Sequence, residues 1–121
     1  YEWQTHEKNK TPYRINAGNS PMLLAGIWDV WKGNSEYLLS CSIITTEAVP
    51  ELTWLHSRQP LFIPEVQLQH WLDPQTSFND VMSYLLPHKP YSLSITPVES
   101  SVGNARDKDA VNAVGETIIV P

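Results

Sequence analysis

"YLLSCSIITT", residues 37–46, is the longest run in the chain with the residue types of a β-strand. Leu, Ile and Thr suit such a run because large and β-branched side chains pack well on a pleated surface. Successive side chains alternate across a strand, so Leu39, Cys41, Ile43 and Thr45 share one face. The spacing predicts that Cys41 lies mid-strand as a small packed hydrophobe. Upstream, "WKGNSE" (31–36) supplies a Gly-Asn turn. Pro12–Ile15 and Met22–Trp28 flank the turn-rich "NAGNSP" (16–21), a pattern that predicts a hairpin. Downstream, Pro64–Leu72 reads as a short helix begun by proline and ended at Asp73-Pro74. Ser77 and Asp80 resemble a capping box for a second helix that places Phe78, Val81, Met82, Leu85 and Leu86 on one face and stops at Pro87. Tyr91, Leu93 and Ile95 then alternate with Ser92, Ser94 and Thr96, as in a half-buried strand. From Glu99 the chain is polar and loop-like until "ETIIVP" (116–121). Strands, then helices, then another strand predict an α+β domain rather than βαβ winding.

The bulk composition agrees. A chain of 121 residues fits one domain with a real core, and 41% apolar with 17% charged residues is globular rather than disordered. Ten prolines argue against a bundle of long helices, because each caps, bends or ends an element. A single cysteine excludes an internal disulfide and fits a reducing compartment. No basic-then-apolar leader opens the chain, and no apolar run approaches the ~20 residues that span a bilayer. These features predict a soluble, intracellular protein without a membrane partner. The net charge of −5 weighs against nucleic acid, although a local basic groove is compatible with a negative total.

Chemistry concentrates in "TWLHSRQPLFIP" (53–64), where His56 and Arg58 interrupt a dense apolar stretch. In an extended segment the two would share a face, and imidazole is the side chain best suited to moving a proton near neutrality. The other reading is a core histidine beside a solvated charge, and composition alone leaves both open. Glu2, between Tyr1 and Trp3, is either a frayed terminal residue or, in a longer chain, a carboxylate suited to general acid work. The four histidines have no H-x-x-H or H-x-x-x-H spacing and Cys41 has no C-x-x-C partner, so neither a metal nor a cofactor is expected. A Cys41–His56 cysteine hydrolase is a second reading.

Taken together, "YEW" (1–3), "LLAGIWD" (23–29), "SIITTEA" (42–48), "LHSRQP" (55–60), "WL" (71–72) and "SSVGNARD" (100–107) resemble the SOS-response-associated peptidase (SRAP) family in order and spacing. The resemblance covers nearly the whole chain. It implies an α+β fold with a mixed or antiparallel sheet, or a barrel-like core, flanked by short helices. Residues 1–121 would be the C-terminal portion of a single SRAP-like domain, with about 107–121 as a polar tail. It further implies a part in the DNA damage (SOS) response. The family senses abasic sites in single-stranded DNA through a thiazolidine crosslink to an N-terminal cysteine, and it carries an autopeptidase activity, lyase and hydrolase chemistry respectively. Glu2 and His56 would be catalytic, assisting sugar ring opening and Schiff-base chemistry. Thr45 would lie at the abasic sugar, and Arg58 would contact DNA phosphate. The implied partners are abasic single-stranded DNA and the missing N-terminal half of the domain. A monomer is expected, in the cytoplasm or nucleoid of a bacterium or the nucleus of a eukaryote.

The chain departs from the family in four places. It has no cysteine at position 1 and no upstream N-x-R segment, Gln59 stands where methionine is common, and Ser57 where Asp, Glu or His is frequent. A noncatalytic interaction module of the same fold is therefore a further reading.

Overall fold

The computed structural model describes residues 1–81, 86–104, 106 and 112–121. The predicted helix-face positions Met82 and Leu85, and Ala105 and Asp107 of "SSVGNARD", lie outside them. Every strand pairing among the described residues is antiparallel, and short helices accompany three small sheets, which makes the fold α+β. The chain divides into two compact units.

The first unit comprises Tyr1–Met22, Ala48–Ser57 and Tyr91–Pro121. Strands β1 (Glu2–His6) and β2 (Asn9–Asn16) form a hairpin whose tip places Glu7 at φ 54. A glutamate there lacks the Asn-Gly signature of tight hairpins, so the sequence carries no signal for this turn. The hairpin expected across "NAGNSP" does not form. An isolated bridge from Ala17 to Ser20 closes that turn, and β2 pairs instead with the strand at Leu93–Pro97. The 93–97 strand is flanked on its other side by Ile118–Val120, so the sheet reaches into the segment expected to be a polar tail. The alternation of the 93–97 strand holds at Leu93 and Ile95, both buried, but Thr96 is buried as well. Its hydroxyl meets that of Thr117 at 2.7 Å, which satisfies a group that would be costly to bury alone. Val98 and Val120 are buried in this unit, as are Val49, Leu52 and Leu55 of the 48–57 segment.

The second unit comprises Leu23–Glu47 and Arg58–Pro90. Here β3 (Gly26–Lys32) and β4 (Tyr37–Ile43) form the hairpin anticipated at "WKGNSE", with Gly33 N–H donating to Glu36 O at 2.9 Å. The run 37–46 is not one strand. At Ile44 the chain changes partner: Ile44 N–H donates to Ala25 O and Ile44 O accepts from Leu61 N–H, each at 2.9 Å, while Ala25 N–H donates to Leu61 O at 2.8 Å. Only then does β5 (Thr45–Glu47) pair with β6 (Arg58–Pro60). Three chain segments thus interlock around Ala25, Leu61 and Ile63, all essentially inaccessible, with Leu23, Ile44, Trp71 and Val81 packed on them. Ala25 permits this approach because its side chain is a single methyl. The helices complete the unit. After a 3-10 turn at Glu65–Gln67, α1 (Leu68–Leu72) ends at Asp73, and α2 begins at Phe78–Val81. The capping box is present, since Asp80 N–H donates to Ser77 Oγ at 3.3 Å and Ser77 Oγ–H to Asp80 Oδ2 at 2.6 Å. The remaining strands, at Leu93–Pro97 and Ile118–Val120, are β7 and β8.

Cys41 requires a correction. It lies in β4 as expected, but it is exposed, as is every residue of that strand. Cross-strand partners share a face, so Trp28, Val30, Leu39, Cys41 and Ile43 stand together on one side of the ribbon. Trp28 is 72% exposed and Leu39 68%. Alternation correctly grouped these side chains, but nothing among the described residues buries them.

Two outcomes follow from this packing. Ile95→Ala, which empties a fully buried site in a central strand, should cost about 2–5 kcal/mol in urea unfolding. Cys41→Ser should change stability by less than about 0.5 kcal/mol, and Cys41 of this chain should react with a thiol reagent under native conditions at close to its rate in denaturant.

Candidate functional site

The stretch 53–64 sorts its residues by burial. Leu55, Gln59, Leu61, Phe62 and Ile63 are buried, whereas His56, Ser57 and Arg58 are exposed. His56 is therefore not a core histidine. Its backbone is nonetheless held: a 3-10 turn at Pro50–Leu52 is followed by hydrogen bonds from Leu55 N–H (3.0 Å) and His56 N–H (3.2 Å) to Leu52 O. Thr53 Oγ1–H closes on Pro50 O at 2.8 Å, and Ala48 N–H donates to Ser57 O at 3.0 Å across the base of the segment. Buried Val49, Leu52 and Leu55 anchor it from within. A fixed backbone with an exposed imidazole suits a residue that must meet a ligand. His56 and Ser57 lie outside any strand, so the extended geometry assumed for 56–58 begins only at Arg58.

Arg58 is committed to Thr45. In the β5–β6 ladder Glu47 stands opposite Arg58 and Thr45 opposite Pro60, so Arg58 and Thr45 are diagonal neighbours on one face. Arg58 Nε–H donates to Thr45 Oγ1 at 3.0 Å, and Nη2 donates to the same oxygen at 2.7 Å and to Thr45 O at 2.6 Å. Both residues are exposed. Their contact depends on the partner change at Ile44, which turns Thr45 away from the β4 ladder and onto β6. Gln59, between exposed Arg58 and half-buried Pro60, points inward and donates Nε2–H to His88 O at 2.8 Å. Its amide holds down the chain at 88, a role that a methionine at this position could not fill.

Glu2 opens β1 opposite Tyr13, half-buried, with Oε1 accepting from Trp3 N–H at 2.8 Å. The β1–β2 hairpin is tied to the segment that carries His56 through Trp54. The Trp54 ring meets Tyr13 edge-on at 5.4 Å between centroids, and Gln4 Nε2–H donates to Trp54 O at 2.9 Å. Glu2 and His56 thus belong to one unit, joined through Trp54, two residues before His56, and through Gln4 and Tyr13 of the hairpin that carries Glu2. Sequence reasoning singled out Trp54 only as an apolar neighbour. Its role was hidden because the Trp54–Tyr13 contact links residues 41 positions apart.

The Cys41–His56 pairing finds no support around the thiol. A nucleophilic cysteine needs a base within hydrogen-bond reach, and its face neighbours Trp28, Leu39 and Ile43 cannot take a proton. A cleft of about 330 Å³ lined by Gly26, Ile27, Trp28, Trp71 and Val81 likewise offers no side chain that takes a proton. Among the described residues no group of three or more His, Cys, Asp or Glu side chains gathers to hold a metal ion. No helix among them is long and apolar enough to cross a membrane.

The chain was compared with known proteins. The family described as SOS response associated peptidase (SRAP) matches residues 1–105. Abasic site processing protein YoaM of Bacillus subtilis is 31% identical over 114 residues, covering 91% of this chain and 50% of YoaM. Abasic site processing protein HMCES of Xenopus tropicalis is 26% identical over 129 residues, covering 88% of this chain and 38% of that protein. The crystal structure of a protein from Bacteroides thetaiotaomicron superposes with a TM-score of 0.74 at 26% identity, covering 83% of this chain and 46% of that one. This chain spans about half the length of YoaM and less of HMCES. With the family matched over almost all of its length and the fold shared, the chain belongs to the SOS response associated peptidase family.

Proposed function

We propose that this chain forms part of a longer protein that senses abasic sites in single-stranded DNA by forming a covalent thiazolidine with them. The observation that carries the reading is the family match over residues 1–105, with relatives named abasic site processing proteins. The exposure of His56, Thr45 and Arg58 at the family's motif positions is consistent with it. Ring opening of the abasic sugar exposes an aldehyde. The α-amine of an N-terminal cysteine, which this chain does not include, adds to that carbon and water leaves to give an imine. The cysteine thiol gives up its proton, its sulfur adds to the imine carbon, and a proton is delivered to the nitrogen as the ring closes. Glu2 assigns itself to proton transfer during ring opening, and His56 to proton transfer at the imine and in its reversal, because each step needs a group that both gives and takes a proton. Autopeptidase activity that uncovers the cysteine belongs to the same reading. The polypeptide that this chain lacks relative to its family would cover the apolar face of the β3–β4 ribbon, which explains why Trp28 and Leu39 stand exposed here.

The test compares this chain with the longer protein beginning in cysteine, each incubated with single-stranded DNA carrying one abasic site. The longer protein should give an adduct that survives denaturation and this chain should give none, since Tyr1 offers an amine without a thiol. Glu2→Gln in the longer protein should slow the adduct by about a hundredfold or more, the usual scale for lost general acid catalysis. A stable adduct with this chain alone would contradict the reading, and a folded longer protein that never forms one would favour the noncatalytic module. Cys41, reactive in this chain, should be protected in the longer protein.

A further inference from the structure

We infer that Gln4, Tyr13 and Trp54 form a clamp that sets the spacing of Glu2 and His56, which makes Gln4 and Trp54 positioning residues for the proton transfers. The inference rests on the proposed function, which assigns those transfers to Glu2 and His56. In the β1–β2 hairpin Glu2 stands opposite Tyr13, and Gln4 lies two residues further along β1, so the three side chains share one face. Glu2 and Gln4 are half-buried on that face, whereas Trp3 and Thr5 on the other are exposed. Trp54 lies against the shared face. Its ring meets Tyr13 edge-on at 5.4 Å between centroids, and its carbonyl accepts from Gln4 Nε2–H at 2.9 Å. Tyr13 Oη–H closes the loop by donating to Gln4 Oε1 at 3.3 Å. Each of the three residues thus touches the other two.

The loop has a direction. A backbone carbonyl can only accept, so the nitrogen end of the Gln4 amide must face Trp54, and its oxygen end is left for the Tyr13 hydroxyl. From Trp54 the chain reaches His56 in two residues. Leu55 is buried between them, and Leu55 N–H and His56 N–H are both held on Leu52 O. On the other side, Glu2 Oε1 is held by Trp3 N–H at 2.8 Å. The links between the two functional groups are therefore strand pairing, packed rings and hydrogen bonds. Proton transfer between fixed groups is sensitive to such links, since displacing a group by about 1 Å can cost about a hundredfold in rate. The Tyr13 hydroxyl makes the weakest of the three contacts, because a hydroxyl donor usually sits about 2.7–2.8 Å from its acceptor.

The closing experiment measures adduct formation between the longer protein and an abasic single strand over a range of DNA concentrations. Gln4→Met keeps the length of the side chain and removes both amide hydrogen bonds. It should lower the limiting rate about tenfold, as expected when a reacting group shifts by part of an ångström. The half-saturating DNA concentration should stay unchanged, because the clamp acts on the reacting groups and not on the bound strand. Tyr13→Phe, which keeps the ring, should lose less. Trp54→Phe, which keeps an aromatic edge and the carbonyl, should retain most of the rate that Trp54→Ala loses. In a Glu2→Gln background, Gln4→Met should slow the reaction little further, because the group it positions is already gone. Three results would overturn the inference: Gln4→Met could keep the full limiting rate, it could raise only the half-saturating concentration, or its effect could multiply in full with that of Glu2→Gln. Gln4→Met decides the matter even if Trp54→Ala does not fold. An unaltered protein that forms no adduct overturns the proposed function itself, and this inference with it.

Discussion

In the Leu23–Glu47, Arg58–Pro90 unit, the placement of functional groups depends on three backbone hydrogen bonds that lock Ala25, Ile44 and Leu61 together. Each joins segments distant in sequence, and each lies at a residue with little or no access to water, where an unmade bond would cost 1–3 kcal/mol. Ile44 uses its N–H in one direction and its carbonyl in the other, so the strand cannot continue straight with its first partner. The exchange carries Thr45 onto β6 and sets the register in which Arg58 reaches it. A one-residue slip would turn Thr45 to the opposite face of the ladder and break the contact. Core packing and site geometry are therefore one constraint.

The segment between β5 and β6 applies the same economy to the Tyr1–Met22, Ala48–Ser57, Tyr91–Pro121 unit. Its apolar residues anchor the backbone, and the polar residues that cannot be buried are left outside: His56, Ser57 and, on β6, Arg58. Trp54 couples this segment to the hairpin bearing Glu2 by packing on Tyr13 and accepting from Gln4. Large aromatic contacts of this kind combine apolar area with a preferred edge-on geometry, which makes them good at fixing one element against another. Among the described residues the β3–β4 ribbon has no such anchor. Its apolar face is uncovered among the described residues, and two-stranded ribbons are marginal in water by themselves.

What could be read from the sequence was local. The Gly-Asn turn at 33–34, the proline at the start of the 64–72 helix and the Ser77/Asp80 cap each act within a few residues, and each appears in the structure. The face shared by Leu39, Cys41 and Ile43 was also legible, because period-2 alternation needs no tertiary information. Whether that face is buried was not, since burial depends on what lies across it. The hairpin assigned to "NAGNSP" failed for the same reason: good turn residues do not decide which strands pair, and β2 found partners before and far after it in sequence. Motif order singled out Glu2, Thr45, His56 and Arg58 as candidates. The direct Arg58–Thr45 contact across 13 positions required the structure.

Amide hydrogen exchange in this chain tests the interlock most directly. The N–H groups of Ala25, Ile44 and Leu61 should be the slowest to exchange among residues 23–47 and 58–81, opening only when the whole unit unfolds. If Ile44 and Leu61 instead exchange as fast as the exposed β4 strand at Ser40, the interlock does not hold the unit together, and the placement of Thr45 against Arg58 would need another cause.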